Sequence, residues 1–230
     1  MKVCIKTFLA KGLKLLQQND KDIDVLLAAR FDEIVCSLLR YVNEIEVFNS
    51  AYGLVGVKDT QELISKHIFD SLAPLGIIYR LVTKICPANI VPQIADAGSG
   101  AGLPGFPLAI ALPQFQFTLI ERMGRRAGFL WNTKAALALE NITIEENELE
   151  NIKKRVFHLV TCRAFKPLEP KLLESLFDVC IEGGIIAAYK GRLEKIKQEI
   201  APLEKFCTHW EAIPCKVPFL EEERHLLIIR

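Results

Sequence analysis

The sequence predicts an α/β fold: a mainly parallel, seven-stranded sheet covered by helices, ending in an antiparallel hairpin and preceded by a helical extension. Three observations predict it. The apolar run Ile94-Ala95-Asp96-Ala97 leads into glycines at alternate positions, Gly98, Gly100 and Gly102, and an apolar helix-like segment follows. A glycine-rich turn between strand and helix is how such sheets hold a nucleotide-like ligand. From residue 93 onward, apolar runs of strand length alternate with helical stretches, an order that needs crossover connections and therefore parallel pairing. The last two apolar runs have no helix between them, so they pair antiparallel.

Residues 1–90 read as the helical extension and 91–230 as the α/β domain. Phe8, Leu9, Leu13, Leu15 and Leu16 share one face of a short first helix. Ile23, Leu26, Leu27, Phe31, Ile34, Val35, Leu38, Leu39 and Val42 recur every three or four residues, as one long amphipathic helix that stops before Tyr52-Gly53. Asp59 or Thr60 suits the N-cap of a third helix carrying Leu63, Ile64, Ile68, Leu72 and Leu75, and Pro87 and Pro92 bracket the connector to the sheet. Strands are expected near 93–97, 115–120, 142–145, 156–161 and 184–189, with helices near 104–112, 124–140, 168–182 and 191–204. Residues 206–214 and 225–230 form the terminal pair around the polar loop Glu221-Glu222-Glu223.

Half of the 230 residues are hydrophobic and a quarter charged, which supports a sizeable core and excludes a disordered chain. A net charge of +1 excludes a globally basic nucleic-acid coat, so a nucleic-acid binder needs a local basic face here. The seven cysteines include no Cys-x-x-Cys pair and the four histidines show no metal spacing, so no metal is expected, and reduced thiols fit the cytoplasm. No apolar run reaches the length of a membrane span.

The glycine spacing narrows the ligand. Dinucleotide sites want Gly-x-Gly-x-x-Gly, but Leu103 stands at the third glycine's place and Gly102 comes one residue early. Gly-x-Gly-x-Gly after an acid leans towards S-adenosylmethionine rather than NAD. In that reading Asp96 receives the amino group of the methionine moiety, directly or through water. Glu121, 23 residues after Gly98 at the end of the second strand, accepts from the ribose hydroxyls. Glu150 is placed to meet the adenine amino group, with Glu145, Glu146 and Glu148 competing for that role. Arg122, Arg125 and Arg126 fall on one helical face with Phe129, a grouping suited to phosphates and a stacked base. Arg163 and Phe165 follow the fourth strand, and Lys190 and Arg192 follow the fifth, adding positive charge to the same carboxyl rim. His67 has Asp70 at i+3, a pairing able to orient an imidazole and also compatible with a purely structural helix position.

Taken together, Lys66-His67-Ile68-Phe69-Asp70-Ser71-Leu72, Asp96 through Gly105, Gly124-Arg125-Arg126 with Phe129-Leu130, Arg163-Ala164-Phe165, Lys190-Gly191 and Glu223-Arg224-His225-Leu226 resemble the RsmG (GidB) family of bacterial 16S rRNA (guanine-N7) methyltransferases. The resemblance implies a class I, Rossmann-like methyltransferase fold that uses S-adenosyl-L-methionine, with S-adenosyl-L-homocysteine as product. It implies a target at N7 of the guanine conventionally numbered 527 in 16S rRNA, free or within the small ribosomal subunit. By correspondence with the family, the cofactor contacts fall at Gly98, Leu103, Leu149, Glu150 and Arg163, with Arg163 also the expected catalytic position. His158, Cys162, Glu121 and Glu148 depart from the family's usual residues. A monomer acting in the cytoplasm without a membrane is expected. A methyltransferase for another RNA or a small molecule, and a non-catalytic RNA-binding protein on the same fold, are the alternatives.

Overall fold

The computed structural model describes residues 2–163, 167–207 and 209–230. Three N-terminal helices, α1 (Lys2–Asn19), α2 (Lys21–Ala28) and α3 (Phe31–Tyr52), precede α4 (Thr60–Leu63), a π-helical turn (Ile64–Phe69), α5 (Asp70–Leu72) and α6 (Leu75–Ile85). The sheet is then laid down as β1 (Gln93–Ala97), α7 (Gly105–Ala111), β2 (Gln116–Ile120), α8 (Gly124–Leu137), β3 (Ile142–Glu145), β4 (Phe157–Arg163), α9 (Pro170–Val179), β5 (Cys180–Lys190), α10 (Leu193–Ile200), β6 (Trp210–Pro214) and β7 (His225–Ile229).

The strand order is β3-β2-β1-β4-β5-β7-β6. Strands β1 to β5 pair in parallel and β7 is antiparallel to both β5 and β6, as the missing crossover helix requires. Alternate residues along each strand enter opposite cores. Ile94, Phe117, Leu119, Leu159, Ile185 and Ile228 face the layer built by the N-terminal helices together with α7 and α8. Ala95, Ala97, Val160, Ile186, Leu227 and Ile229 face α9 and α10. Order reverses between β1 and β4, so a crevice opens at their carboxyl ends, the usual ligand position of such sheets.

Three expectations about elements are corrected. The long second helix is two, because Arg30 leaves helical geometry (φ −125°, ψ 21°) and its guanidinium bonds Glu33 and the carbonyl of Ile110. Neither Gly nor Pro marks that break in the sequence. The third helix stops at Pro74, whose missing N–H ends one segment and whose carbonyl starts α6 by accepting from Ile78 N; Asp59 is its N-cap, accepting from Glu62 N at 2.8 Å. Strand β5 begins at Cys180 rather than near 184. Cys180 pairs with Phe157 ahead of a register shift, and Gly183 supplies the left-handed conformation that the irregularity needs.

Candidate active site

Two cavities open at the carboxyl edge of the sheet, one on each side of the crevice. The first, about 290 Å³, lies over the ends of β1, β2 and β3 and is lined by Gly98, Glu121, Arg122, Met123, Arg126, Glu148, Leu149 and Glu150 among others. The second, about 360 Å³, lies over the ends of β4 and β5 and is lined by Lys66, His67, Asp70, Arg163, Tyr189, Lys190, Arg224 and His225 among others.

The glycine loop is held from both sides. Its peptide N–H groups are largely committed within the protein: Gly98 and Ser99 donate to the Ile120 carbonyl, and Gly102 and Leu103 to that of Ser99. Gly100 N donates to Glu121 Oε2 at 3.0 Å, while Met123 N donates to Glu121 Oε1 at 2.9 Å. Thus Glu121, only 4% exposed, ties the loop to the start of the α8 turn. Two glycines are required for different reasons. Gly100 has φ +58° and faces open space, where an added Cβ meets nothing nearer than Gly98 O at 3.9 Å. Gly102 has φ +83°, and a Cβ there would come within 2.2 Å of the Phe106 ring. Gly100 is therefore required for its left-handed backbone alone, whereas Gly102 also permits close contact on the core side.

Asp96 stands behind the loop. Its Oδ2 accepts from Gly105 N and its Oδ1 from Thr161 Oγ1, both at 3.1 Å, and the residue is almost wholly buried. Burial pushes its carboxyl up to about 6, against the opposing pull of those hydrogen bonds. The N-terminal extension reaches the loop as well, since Tyr41 Oη donates to the Ala101 carbonyl at 2.7 Å. The Leu103 side chain is buried and does not line either cavity, whereas Leu149 and Glu150 form a short 3-10 turn (Leu149–Asn151) on the wall of the first.

The three arginines do not share a face. Arg122 precedes α8 and pairs with Glu148 at 3.6 Å across the mouth of the first cavity, which Arg126 also lines. Arg125 instead lies over the Tyr52 ring, 5.9 Å from its centroid. Phe129 is fully buried and packs edge-on against Phe48, so it offers no surface for a base. Arg125 and Phe129, one turn apart in α8, both face α3, where they meet Tyr52 and Phe48, whereas Arg126 joins Arg122 at the cavity; that α3 covers this side of α8 is not written in the local spacing.

In the second cavity Arg163 is anchored on three sides. Its Nη1 donates to Asp70 Oδ2 at 3.0 Å and to the Lys66 carbonyl at 3.4 Å, and its Nη2 donates to His67 Nδ1 at 2.8 Å. Arg224 Nε lies 3.2 Å from the other Asp70 oxygen. Asp70 thus bridges two guanidiniums; burial raises its carboxyl above the usual carboxylate range, and the charges of Arg163 and Arg224 oppose that rise only in part. Lys190 is paired with Glu199 at 2.7 Å, so less of its charge reaches the rim than the sequence implies. Arg192 is the N-cap residue of α10 and lines neither cavity. Phe165 lies outside the described residues. Sequence reasoning did not assign Asp70, Arg224 or Tyr189 to the site. Asp70 and Arg224 sit in segments the resemblance picked out, but nothing in the sequence signals that the two segments meet.

Among the described residues no helix is long and apolar enough to cross a membrane. Solved structures similar to the chain share its fold: the methyltransferase domain of METTL16, at 11% identity and TM-score 0.56, covers 83% of this chain and 78% of that one. A putative S-adenosyl-L-methionine-dependent methyltransferase from Methanococcus maripaludis, at 18% identity and TM-score 0.53, covers 72% and 88%. The sheet order and these likenesses establish a class I, Rossmann-like methyltransferase fold. Closer in sequence is a protein of Treponema denticola named ribosomal RNA small subunit methyltransferase G, 37% identical over 96% of this chain and 92% of its own. A protein of the same name from Treponema pallidum is 39% identical over 89% of each. With those relatives, and a match over residues 35–227 to the GidB family model, rRNA small subunit methyltransferase G, the chain belongs to the GidB family.

Proposed function

We propose that this protein transfers a methyl group from S-adenosyl-L-methionine to N7 of a guanine in small-subunit ribosomal RNA, the position numbered 527 in 16S rRNA. The observation that carries the reading is the pair of cavities on one sheet edge. One is walled by a glycine loop and carboxylates, the other by Arg163, Arg224 and Lys66. The relatives named for small-subunit rRNA methylation support the choice of RNA.

The first cavity fits the methyl donor. Gly98 of the loop lines it, and Glu121 is a buried acceptor suited to two ribose hydroxyls. Leu149 and Glu150 line the same cavity and would meet the adenine edge of the donor. Asp96, committed to Gly105 and Thr161, serves this ligand by shaping the loop. When bound, the donor supplies a sulfonium methyl group. The rest is placement: guanine N7 has a lone pair and no proton, so the N–C bond forms as the S–C bond breaks and its electron pair stays on sulfur. No base is required of the protein. Holding the two partners in line and excluding water supply the rate enhancement. Total charge is unchanged by transfer, so Arg163, fixed by Asp70 and His67, acts as a positioning residue rather than as a sink for new negative charge.

Labelled methyl transfer from S-adenosyl-L-methionine to small ribosomal subunits, naked 16S rRNA and a metabolite extract tests this reading. Label in small-subunit RNA is expected; label confined to metabolites, or none at all, overturns it.

A further inference from the structure

The second cavity contains an imidazole whose tautomer the fold decides. Arg163 is a guanidinium and can only donate, so the 2.8 Å contact between its Nη2 and His67 Nδ1 makes Nδ1 an acceptor. A histidine that accepts at Nδ1 is neutral and carries its proton on Nε2. Burial and the charges of Arg163 and Lys66 hold the ring well below its ordinary range, at about 4, in agreement with that state. His67 lines the cavity, and among the described residues Nε2 has no hydrogen-bond partner. The polar groups that share the cavity already have partners: Lys66 is bonded to Glu62, Lys190 to Glu199, Asp70 bridges Arg163 and Arg224, the Tyr189 hydroxyl donates to the Ser71 carbonyl, and His225 Nδ1 donates to the Gly191 carbonyl. Nε2–H is thus a fixed, uncharged donor left over for a ligand.

We infer that His67 Nε2–H selects guanine over adenine at this site by donating to guanine O6, and so is a specificity-determining residue. This rests on the proposed function, which requires N7 to be presented with its lone pair free. On the edge that carries N7, guanine shows a second acceptor, O6, where adenine shows an amino donor. A donor that cannot become an acceptor attracts the first and opposes the second. A protonated imidazole would leave Arg163 facing a like charge, and the other tautomer would offer adenine an acceptor. The Arg163–His67 contact excludes both. Asp70 acts one step back, as a positioning residue that holds Arg163 against the ring.

The test is a cycle of protein variant against base analogue. Small-subunit RNA is prepared with guanine or 2-aminopurine at the methylated position; 2-aminopurine keeps N7 and the 2-amino group but lacks O6. Single-turnover methyl transfer is measured for wild type, His67→Phe and His67→Gln, with S-adenosyl-L-methionine affinity and thermal melting as controls. His67→Phe is expected to lose about tenfold on guanine, the scale of one neutral hydrogen bond, with unchanged cofactor affinity and no corresponding loss on 2-aminopurine. His67→Gln, which keeps a donor near the Nε2 position, is expected to recover most of the guanine rate. Equal losses on both bases, or no loss on guanine, overturn the inference. If His67→Phe does not fold, equal wild-type rates on the two bases, or a His67→Gln protein indifferent to the base, overturn it as well. Failure of wild type to methylate the guanine RNA strikes the parent proposal instead, and is distinguishable because it precedes any comparison of variants.

Discussion

Arg163 Nη1 and Asp70 Oδ2 meet at 3.0 Å across 93 residues of chain, with side-chain exposures of only 12% and 10%. This ion pair fastens the carboxyl end of β4 to the helical segment before the sheet. Asp70 also holds Arg224 at the end of the β6–β7 loop, so one carboxylate gathers three parts of the chain around the second cavity. Asp70→Asn leaves two guanidiniums without a counter-charge. We expect it to cost about 3 kcal/mol of stability and to abolish most methyl transfer. Urea titration checks the first, and an unchanged midpoint contradicts the role given to the pair.

The two loop glycines predict opposite phenotypes. Gly102→Ala drives a Cβ into Phe106 and is expected to lower the melting temperature strongly. Gly100→Ala meets no core atom, so its cost is the left-handed backbone strain, about 1–2 kcal/mol, and its larger effect is on cofactor binding, through the displaced hydrogen bond from Gly100 N to Glu121. Melting curves beside calorimetric titration with S-adenosyl-L-methionine separate the two. Equal stability losses would remove the distinction between the loop's faces.

Glu121 joins the loop to the α8 turn through Gly100 and Met123. Glu121→Gln replaces one acceptor oxygen by a donor, and a site that needs acceptors for ribose hydroxyls then loses affinity. We expect S-adenosyl-L-methionine to bind about ten- to a hundredfold more weakly, the scale of a hydrogen bond to a charged acceptor. Unaltered affinity in a folded variant would reassign Glu121 to loop structure alone.

Two buried groups give opposite pH signatures. His67 is depressed from 6.5 to about 4, so the unfolded chain takes up its proton first. The stability tied to its neutral form is complete above 6.5 and is lost as pH falls towards 4. Asp96 is raised from 3.8 to about 6, so its contribution is present below 3.8 and is lost as pH rises through 6. On acidification from 7 to 4, His67→Gln should therefore lose less stability than wild type, and Asp96→Asn more. Thermal midpoints across that range decide it; parallel pH slopes for all three proteins contradict the assignments.

The sheet was legible because parallel strands, buried on both faces, read as short apolar runs. β1 to β4 and the terminal hairpin fall within a few residues of expectation. The glycine loop was legible because its φ values admit few other residues. What stayed hidden was tertiary. The break at Arg30 depends on the Ile110 carbonyl, 80 residues away, and the burial of Phe129 depends on Phe48 of α3. The Asp70–Arg163–Arg224 cluster joins three segments that sequence spacing treats as independent. Local patterns show which residues can carry chemistry; only the packing of the N-terminal helices shows which of them face one cavity.

The most direct test is nucleoside mass analysis of 16S rRNA from otherwise identical cells with and without this protein. One N7-methylguanosine, at position 527, is expected to be lost when the protein is absent and restored by the wild-type chain. Identical methylation at that guanine in both strains, or loss of a methyl group from a different base, would contradict it.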